Sequence, residues 1–320
     1  MRDATRFGAN TTTDEVLEGL DLRGKLVLVT GGSSGLGQET ARALVSKGAR
    51  IVITARDVPK GRAVAEAIAA STGKSAIEVE ELELGSLASV RAFAARFLAH
   101  HDRLDVLVNN AGVMACPLAR TSDGFEMQFG TNHVGHFLLT CLLAPALRKG
   151  APSRIVSVSS RGHHFAPVDF DDPNFVEREY HKWLAYGQSK TANVLFAVGL
   201  ERRLGAAGVH ANALHPGAIV TELGRHLVPE DIELIRSRTP AGTTYAFKTV
   251  EAGAATSVFA ATAPELEGRG GLYLEDCHIA TVNETPDALE GVKGYALDPT
   301  NAERLWALSE RLVGERFALG

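Results

Sequence analysis

The sequence predicts a single α/β domain that is built on a doubly wound, parallel sheet of seven strands. From residue 25 onward, short segments rich in β-branched residues alternate with longer Ala- and Leu-rich segments, and this alternation is typical of repeated βα units. A glycine-rich turn follows the first of the short segments. Since neither a linker nor an internal repeat interrupts the 320 residues, we expect one domain over residues 25–320 and a polar N-terminal arm over residues 1–24.

The positions of the strands and helices follow from the periodicity of the apolar residues. Strands are expected at residues 25–30, 50–54, 76–82, 106–109, 154–158, 209–214 and 271–274. Helices are expected at residues 35–47, 60–70, 86–100, 125–147 and 186–204. Because parallel strands are joined by right-handed crossovers, these helices should cover both faces of the sheet.

The composition argues against several classes of partner. A formal net charge of -5 and a pI of about 6.1 provide no basic surface for nucleic acid or an anionic membrane. Cys116, Cys141 and Cys277 are too widely spaced to predict a disulfide framework or a thiolate metal site. Residues 1–13 are polar, and no run of about 18 apolar residues follows them. We therefore expect a soluble, cytoplasmic protein that acts on a small molecule.

The first predicted strand ends in the sequence TGGSSGLG at residues 30–37, directly before a helix. Glycines allow a sharp turn and a close approach of the backbone, and the N–H groups and dipole at a helix N-terminus attract anions. The pattern predicts a site for the pyrophosphate of a dinucleotide, and the alternative is a tight turn that needs glycine for its conformation alone. The residues assigned to this site are Gly31, Ser33, Ser34, Gly35, Leu36 and Gly37.

The end of the second predicted strand indicates which dinucleotide is bound. An Asp or Glu at this point would bind the ribose 2′-hydroxyl of NAD(H), but the residues here are Thr54, Ala55 and Arg56. The guanidinium of Arg56 suits a 2′-phosphate, so NADP(H) is preferred, with NAD(H) as the other possibility. An exposed surface arginine with no ligand is the alternative interpretation.

Tyr186 and Lys190 lie four residues apart in a predicted helix and hence on one helix face. A phenol with a pKa of about 10 becomes an effective acid–base catalyst when a nearby cation stabilises its phenolate, and Lys190 provides that cation. Ser159 and Ser160 end the strand at the sheet edge where open α/β sheets bind ligands, so that a hydroxyl there can bind a substrate carbonyl. The alternative is that the tyrosine and lysine form only a surface pair.

Three motifs together resemble those of the short-chain dehydrogenase/reductase family, and the resemblance spans nearly the whole chain. They are TGGSSGLG at 30–37, NNAG at 109–112 and YGQSK at 186–190. The resemblance implies a Rossmann fold and an enzyme that moves hydride between a nicotinamide and a carbonyl or alcohol.

The same resemblance implies a catalytic tetrad of Asn132, Ser160, Tyr186 and Lys190. Tyr186 would donate a proton to the carbonyl oxygen, and Ser160 would orient that oxygen, with Ser159 as the adjacent alternative. Lys190 would lower the tyrosine pKa and bind the nicotinamide ribose. Asn132 resembles the residue that holds a water in the proton relay.

Further residues are assigned to the cofactor by this resemblance. Glu83 stands where relatives often have an Asp near the adenine ring, and Ile219 is expected to meet the nicotinamide carboxamide through its backbone. The other cofactor-binding residues that the resemblance implies are Leu84, Asn110, Ala111, Gly112, Tyr186, Lys190, Pro216, Gly217 and Thr221.

Within the family, the sequences NHVGHF at 132–137 and HPG at 215–217 most resemble the retinol-dehydrogenase-like and WW-domain-oxidoreductase-like branches. We expect a soluble, bacterial relative whose substrate contacts lie in the loops at 161–183 and 221–244. The apolar run 137–143 corresponds to a helix that packs between subunits in this family, so a homodimer or homotetramer is expected. The histidines near these motifs lack companion ligands, and no metal site is predicted.

Three functions remain open from the sequence. The leading hypothesis is an NADP(H)-dependent ketone or aldehyde reductase, and an NAD-linked secondary-alcohol dehydrogenase is the nearest alternative. A non-catalytic NADP(H)-binding sensor is possible because a fold alone does not determine function. An epimerase-like enzyme that acts on nucleotide sugars is disfavoured by the spacing of the glycine turn.

Overall fold

The computed structural model describes residues 7–237 and 247–319, and a mostly parallel sheet of eight strands lies at its centre. The strands are β1 Leu26–Val29, β2 Arg50–Ala55, β3 Ile77–Glu81, β4 Val106–Asn109, β5 Ser153–Val158, β6 Val209–His215, β7 Tyr273–Glu275 and β8 His278–Ile279. Their order is β3-β2-β1-β4-β5-β6-β7-β8. The predicted doubly wound sheet of seven parallel strands is confirmed, and the structure adds the two-residue β8, which pairs antiparallel with β7.

Helices cover both faces of this sheet. They are α1 Thr13–Val16, α2 Gly35–Ser46, α3 Val58–Thr72, α4 Leu87–His100, α5 Met127–Phe129, α6 Gly135–Lys149, α7 Lys182–Leu204, α8 Pro229–Ser237, α9 Val250–Thr262, α10 Gly294–Leu297 and α11 Pro299–Val313. A π-helical turn, Gly130–Val134, joins α5 to α6. The continuous helix predicted at 125–147 is therefore wrong in detail, because a wider turn interrupts it.

Strand β1 shows why the chain folds into three layers. Its side chains alternate between the two faces of the sheet: Leu26 and Leu28 belong to one apolar cluster, and Val27 and Val29 belong to the other. All four are buried, as expected for a parallel strand that is covered by helices on both faces. The sheet is thus held by two cores rather than by one.

The N-terminal segment packs against this domain. Thr12 caps α1, and Val16 and Leu17 are buried in the same cluster as α2 and α9 side chains. The Thr13 hydroxyl donates a hydrogen bond of 2.5 Å to the carboxylate of Glu39 in α2. Residues 7–24 are therefore part of the folded domain, whereas residues 1–6 lie outside the described residues.

The apolar run 137–143 is buried within the chain. Phe137, Leu138 and Leu143 are 0% exposed, and the ring of Trp306 in α11 packs edge-on against Phe137 with the ring centroids 5.0 Å apart. The expectation that these side chains pack between subunits is wrong for the six of the seven that are buried inside the chain, whereas Leu142 is only half-buried. In the part of the chain that the structure describes, no helix combines the length and hydrophobicity that crossing a bilayer requires.

The order of the strands determines where a ligand can bind. The chain order reverses between β1 and β4, and in open α/β sheets a crevice forms at such a reversal, outside the carboxyl ends of the strands. The turns that follow β1, β4, β5 and β6 all lie at this edge because these four strands are parallel. The motifs that directly follow these strands, at 30–37, 109–112, 159–160 and 215–217, are therefore brought to one edge of the sheet.

Candidate active site

The glycine turn after β1 ends at the N-terminus of α2. Gly31 and Gly35 have φ angles of 66° and 52°, in the left-handed region that favours glycine. A Cβ atom on Gly37 would lie 2.4 Å from the Gly31 carbonyl oxygen, so a side chain at this position would push the helix off the turn. The first N–H groups of a helix have no intrahelical partner, and the Ser34 side chain does not cap them. These donors fit an anionic group such as a pyrophosphate.

The loop 109–112 after β4 is hydrogen-bonded to this turn. The backbone N–H groups of Asn110 and Ala111 donate to the Thr30 hydroxyl at 2.9 and 3.0 Å, and the Asn110 side-chain amide donates to the Thr30 carbonyl at 2.8 Å. A Cβ atom on Gly31 would lie 2.9 Å from Ala111. The two predicted cofactor loops therefore form one rigid wall of the crevice.

Arg56 and Glu83 mark the other end of the crevice, after β2 and β3. Their guanidinium and carboxylate lie 3.6 Å apart, and both side chains are exposed, at 66% and 43%. Glu83 also accepts a hydrogen bond from the Gly85 backbone at 2.9 Å, while Leu84 is buried beneath the loop. Arg56 thus has a carboxylate neighbour that the sequence did not predict, and its exposed guanidinium remains accessible to an anion.

Tyr186, Lys190 and Ser160 converge where α7 passes the end of β5. The Tyr186 ring lies against Gly162, where a Cβ atom would be 2.5 Å from the ring, and the Ser160 hydroxyl accepts the Gly162 N–H at 2.9 Å. The Lys190 ammonium lies 5.7 Å from the Tyr186 ring centroid and donates to the Val158 carbonyl at 3.0 Å. Burial lowers the pKa of Lys190 to about 8.

The structure distinguishes between the two adjacent serines. Ser159 is 2% exposed, and its hydroxyl donates to the backbone carbonyl of Lys190 at 2.7 Å. Ser160 is half-buried and lies beside the Tyr186 ring through Gly162. Ser159 therefore ties β5 to α7, and the geometry favours Ser160 as the hydroxyl that meets a substrate.

Asn132 lies in the π turn and is completely buried. Its side-chain oxygen accepts the Val113 N–H at 2.8 Å, and its amide donates to the Val113 carbonyl and the Ser189 hydroxyl, both at 2.9 Å. Ser189 in turn donates to the Tyr186 carbonyl at 2.8 Å. The Asn132 side chain therefore connects the loop after β4 to the helix of Tyr186.

The segment after β6 crosses the glycine turn. Pro216 is buried, and Gly217 has a φ of 99° and packs against the Lys248 side chain. Thr221 lies over Gly35, where a Cβ atom would be 3.4 Å from the threonine methyl. Ile219 and Leu36 both pack against Gly253 of α9.

An ion pair extends this crossing to α3. Lys60 Nζ lies 2.9 Å from both carboxylate oxygens of Glu222, the residue that follows Thr221. The sequence did not predict this ion pair, because the two residues are 162 positions apart and no local pattern links them. Of the predicted substrate loop 221–244, residues 238–244 lie outside the described residues.

An apolar cluster covers Tyr186 on the substrate side. Its centre is formed by Ala115, Trp183 and Tyr186. The partly buried residues packed against this centre are Met114, Phe165, Leu227, Leu234 and Ile235. The last three come from α8 and the residues just before it, so α8 covers the cluster that contains Tyr186, and we refer to α8 as the lid helix.

Asp231 anchors the lid helix to the catalytic helix. It is 3% exposed, and it accepts hydrogen bonds from Lys182 Nζ at 2.6 Å, from the Trp183 indole at 2.9 Å and from the Val228 N–H at 3.0 Å. Lys182 and Trp183 are the first two residues of α7, four and three positions before Tyr186. The carboxylate thus holds α8 against the start of α7.

Replacing Asp231 with Ala is expected to raise the substrate KM about tenfold, because losing the buried acceptor destabilises the closed lid by about 1–3 kcal/mol. The kcat should change by less than about threefold, since no reacting group is removed. Steady-state kinetics measure both constants. Glu230→Ala, an exposed substitution on the same helix, is the control, and an equal rise in KM in both variants would contradict the anchoring role.

Comparison with known proteins gives one consistent family. The sequence model of a family described as short chain dehydrogenase matches residues 25–231. Retinol dehydrogenase 11 of Homo sapiens is 43% identical over 295 residues, which cover 92% of this chain and 87% of that protein. The short-chain dehydrogenase/reductase prx1 of Penicillium roqueforti is 43% identical over 298 residues, which cover 92% of this chain and 86% of that protein.

Solved structures give the same result. An uncharacterised protein from Mycobacterium paratuberculosis is 36% identical with a TM-score of 0.73, over 94% of this chain and 98% of that one. The RhlG/NADP active-site complex of Pseudomonas aeruginosa is 27% identical with a TM-score of 0.63, over 80% of this chain and 95% of that one. The similarity therefore extends from the sequence motifs to the whole fold.

Proposed function

Because the chain belongs to the short chain dehydrogenase family, we propose that it is an NADP(H)-dependent reductase of a ketone or aldehyde with a bulky apolar body. Members of this family are NAD(P)-dependent oxidoreductases that interconvert alcohols and carbonyl compounds. The chain is accordingly an oxidoreductase. The preference for NADP(H) and the apolar carbonyl substrate go beyond what membership of the family implies.

The main support for this proposal is that the side chains of Tyr186, Ser160 and Lys190 lie close together. The Tyr186 ring and the Ser160 hydroxyl lie beside Gly162, where a Cβ atom would be 2.5 and 3.3 Å from them, and the Lys190 ammonium lies 5.7 Å from the centroid of the same ring. A hydroxyl, a phenol and an ammonium at the carboxyl edge of the sheet match the requirements of carbonyl reduction, which needs an acid near the oxygen that gains negative charge. A non-catalytic sensor would have no need of this arrangement.

We assign one step to each of these residues. The Ser160 hydroxyl donates a hydrogen bond to the carbonyl oxygen and orients it, and the Tyr186 phenol then transfers its proton to that oxygen. The Lys190 ammonium stabilises the phenolate that remains, because the two groups lie close together in a buried site where charges interact strongly. A nicotinamide bound beside these residues would supply the hydride.

The crevice suits a dinucleotide along its whole length. The N-terminus of α2 would hold the pyrophosphate, and the exposed Arg56 would hold a 2′-phosphate in place of its neighbour Glu83. Pro216, Gly217 and Ile219 would border the nicotinamide. The similar Pseudomonas aeruginosa structure is described as a complex with NADP, which supports NADP(H) over NAD(H).

The apolar cluster around Trp183 supports a substrate with a large hydrophobic body. Burial of apolar surface contributes about 25 cal/mol per Å², and the lid helix adds Leu234 and Ile235 to this apolar cluster. The relatives named retinol dehydrogenases act, by that name, on a long apolar alcohol. A hydrophobic aldehyde or ketone is therefore the expected substrate class.

The proposal is tested by measuring the oxidation of NADPH, with NADH run beside it, against a panel of carbonyl compounds. The panel pairs short polar aldehydes and ketones with long apolar ones that carry the same reacting group. We expect turnover with NADPH and a kcat/KM that rises with apolar chain length. Absence of turnover with every carbonyl, or equal use of both cofactors, would overturn the corresponding part of the proposal.

Replacing Arg56 with Asp should raise the KM for NADPH by about tenfold to a hundredfold, because a charge-assisted contact to the 2′-phosphate is replaced by repulsion. The KM for NADH should change by less than about threefold, since NADH lacks that phosphate. Arg62→Asp, which makes the same charge change on the exposed surface of α3, controls for long-range electrostatics. Equal effects on NADPH and NADH would refute the assigned role.

Assembly into a homodimer or homotetramer is also proposed, because enzymes of this family typically oligomerise. The buried run 137–143 is not the contact surface. Light scattering of the purified protein measures the oligomeric state. A protein that is monomeric at all concentrations would refute the proposal.

A further inference from the structure

The imidazole of His136 bridges two parts of the candidate site. The residue is 2% exposed and lies in the first turn of α6. Its Nδ1 atom lies 2.9 Å from the Asn132 carbonyl oxygen, and its Nε2 atom lies 2.9 Å from the Thr30 hydroxyl. One buried ring therefore joins the π turn that carries Asn132 to Thr30, the residue that follows β1 and begins the glycine turn.

The hydrogen-bond partners of Thr30 determine which ring nitrogen carries the proton. The Thr30 hydroxyl accepts the N–H groups of Asn110 and Ala111, and these use both of its lone pairs. Its single hydrogen is left for a nearby acceptor, of which His136 Nε2 at 2.9 Å is closer than the Val108 carbonyl at 3.4 Å. Nε2 is thus an acceptor, and Nδ1 carries the proton that is donated to Asn132.

The ring is neutral in this arrangement. Burial lowers the pKa of His136 to about 4, so protonation does not compete for Nε2 near neutral pH. Hydrogen bonds continue on the other side of the π turn, from the Asn132 amide to Ser189 and from Ser189 to the Tyr186 carbonyl. A continuous path of hydrogen bonds thus runs from the cofactor loop to the catalytic helix.

We propose that His136 is a positioning residue that holds the Asn132 turn and the 109–112 loop in one register, so that the tetrad faces the bound dinucleotide. This inference rests on the proposed reductase function. His136 does not contact the reacting atoms; it acts through Thr30 on one side and through Asn132 on the other. Its two partners lie in separate segments, the turn after β1 and the π turn, so that loss of the two hydrogen bonds would let these segments move independently.

Replacing His136 with Phe removes both hydrogen bonds and keeps a ring in the same space. We expect the kcat to fall by about tenfold to a hundredfold, because a displacement of about 1 Å in a tetrad member has effects of this size. The substrate KM should change by less than about threefold, since the lid is untouched. Steady-state kinetics and the thermal midpoint are measured for each variant.

His133 provides a matched control. It lies in the same π turn and is 0% exposed, but its Nε2 atom is 2.8 Å from the Ser309 hydroxyl of α11, and its ring packs against Phe129 and Phe196. His133→Phe should lower the thermal midpoint and leave the kcat within about threefold of the wild-type value. If the two Phe variants lose the same fraction of kcat, His136 has a merely structural role and the inference is wrong.

Variants of Thr30 keep the inference testable if His136→Phe does not fold. Thr30→Val removes the hydroxyl and should lower the kcat about tenfold, whereas Thr30→Ser retains the hydroxyl and should stay within about threefold of the wild type. Equal losses in the two variants would contradict the proposed path. Relative to threonine, valine exchanges the hydroxyl for a methyl group, whereas serine keeps the hydroxyl and lacks the methyl group.

The tautomer of His136 can be measured without turnover. Nitrogen NMR of the wild-type protein labelled in its histidine rings should show a neutral ring with the proton on Nδ1. A proton on Nε2 would overturn the inference whatever the activity. If the wild-type protein reduces no carbonyl while this tautomer is observed, the proposed function fails and the hydrogen-bond path stands.

Discussion

Replacing Tyr186 with Phe is expected to lower the kcat for carbonyl reduction by about 10²- to 10⁴-fold, because general acid catalysis contributes an effect of this size. The ring is buried between Gly162 and Trp183, and Phe occupies the same space, so the fold should be retained. NADPH affinity should be nearly unchanged, since the cofactor is held mainly by the turns after β1 and β4. The rate of NADPH oxidation and a fluorescence titration of NADPH measure the two effects.

Tyr295→Phe is the control for this substitution. The Tyr295 hydroxyl donates to the His163 carbonyl at 2.6 Å and takes no part in the assigned chemistry. Its loss should leave the kcat within about threefold of the wild-type value. A Tyr186→Phe enzyme with unchanged turnover would exclude Tyr186 as the acid, and one that no longer binds NADPH would point to a binding role instead.

Replacing Lys190 with Met should lower the kcat by a similar factor of about 10² to 10⁴ and, unlike the tyrosine variant, should also weaken NADPH binding. The ammonium is assigned both to the phenolate and to the nicotinamide ribose, so one substitution would remove two contributions. Met has nearly the same length and suits the apolar surroundings, so the buried position is not left as a cavity. Kinetics and the NADPH titration again separate the two effects.

The pH profile gives an independent test of Lys190. Burial lowers the pKa of Lys190 to about 8, so the ammonium is charged below that pH and loses its proton as the pH rises through it. The kcat for reduction should accordingly fall above about pH 8. In Lys190→Arg the charge persists at high pH, so any remaining activity should decline only at a higher pH. A wild-type profile that stays level well above pH 8 would contradict the assignment.

The elements that the sequence predicts well are those with strong local signals. Strand β1 and the glycine turn follow from adjacent residues, and the predicted boundaries of β4 agree with the structure. Helix α7 begins at Lys182 rather than at Tyr186, because its N-cap is His181, whose ring accepts the Leu184 N–H in place of the usual Ser, Thr, Asp or Asn. A standard start signal is therefore absent.

Two long helices were missed for different reasons. Helix α9, Val250–Thr262, is buried on nearly all sides and has no polar stripe, so its sequence lacks the period of an amphipathic helix. Helix α11, Pro299–Val313, carries a clear signal, since Asp298 caps it and Pro299 occupies its first turn. This helix was predictable, and its Trp306 covers Phe137 at the start of the run 137–143.

By itself, the sequence determined the chemistry available to this protein: a glycine turn between a strand and a helix, and a tyrosine and a lysine four residues apart. These features depend on neighbouring residues, whose geometry is set by backbone conformation alone. Only the tertiary structure decided which serine faces Tyr186, that Asp231 anchors a lid, and that Thr30 and His136 share a hydrogen bond. Thr30 and His136 are 106 positions apart in the sequence. Contacts over such a separation arise when whole helices and strands pack together, and no local pattern of residues predicts them.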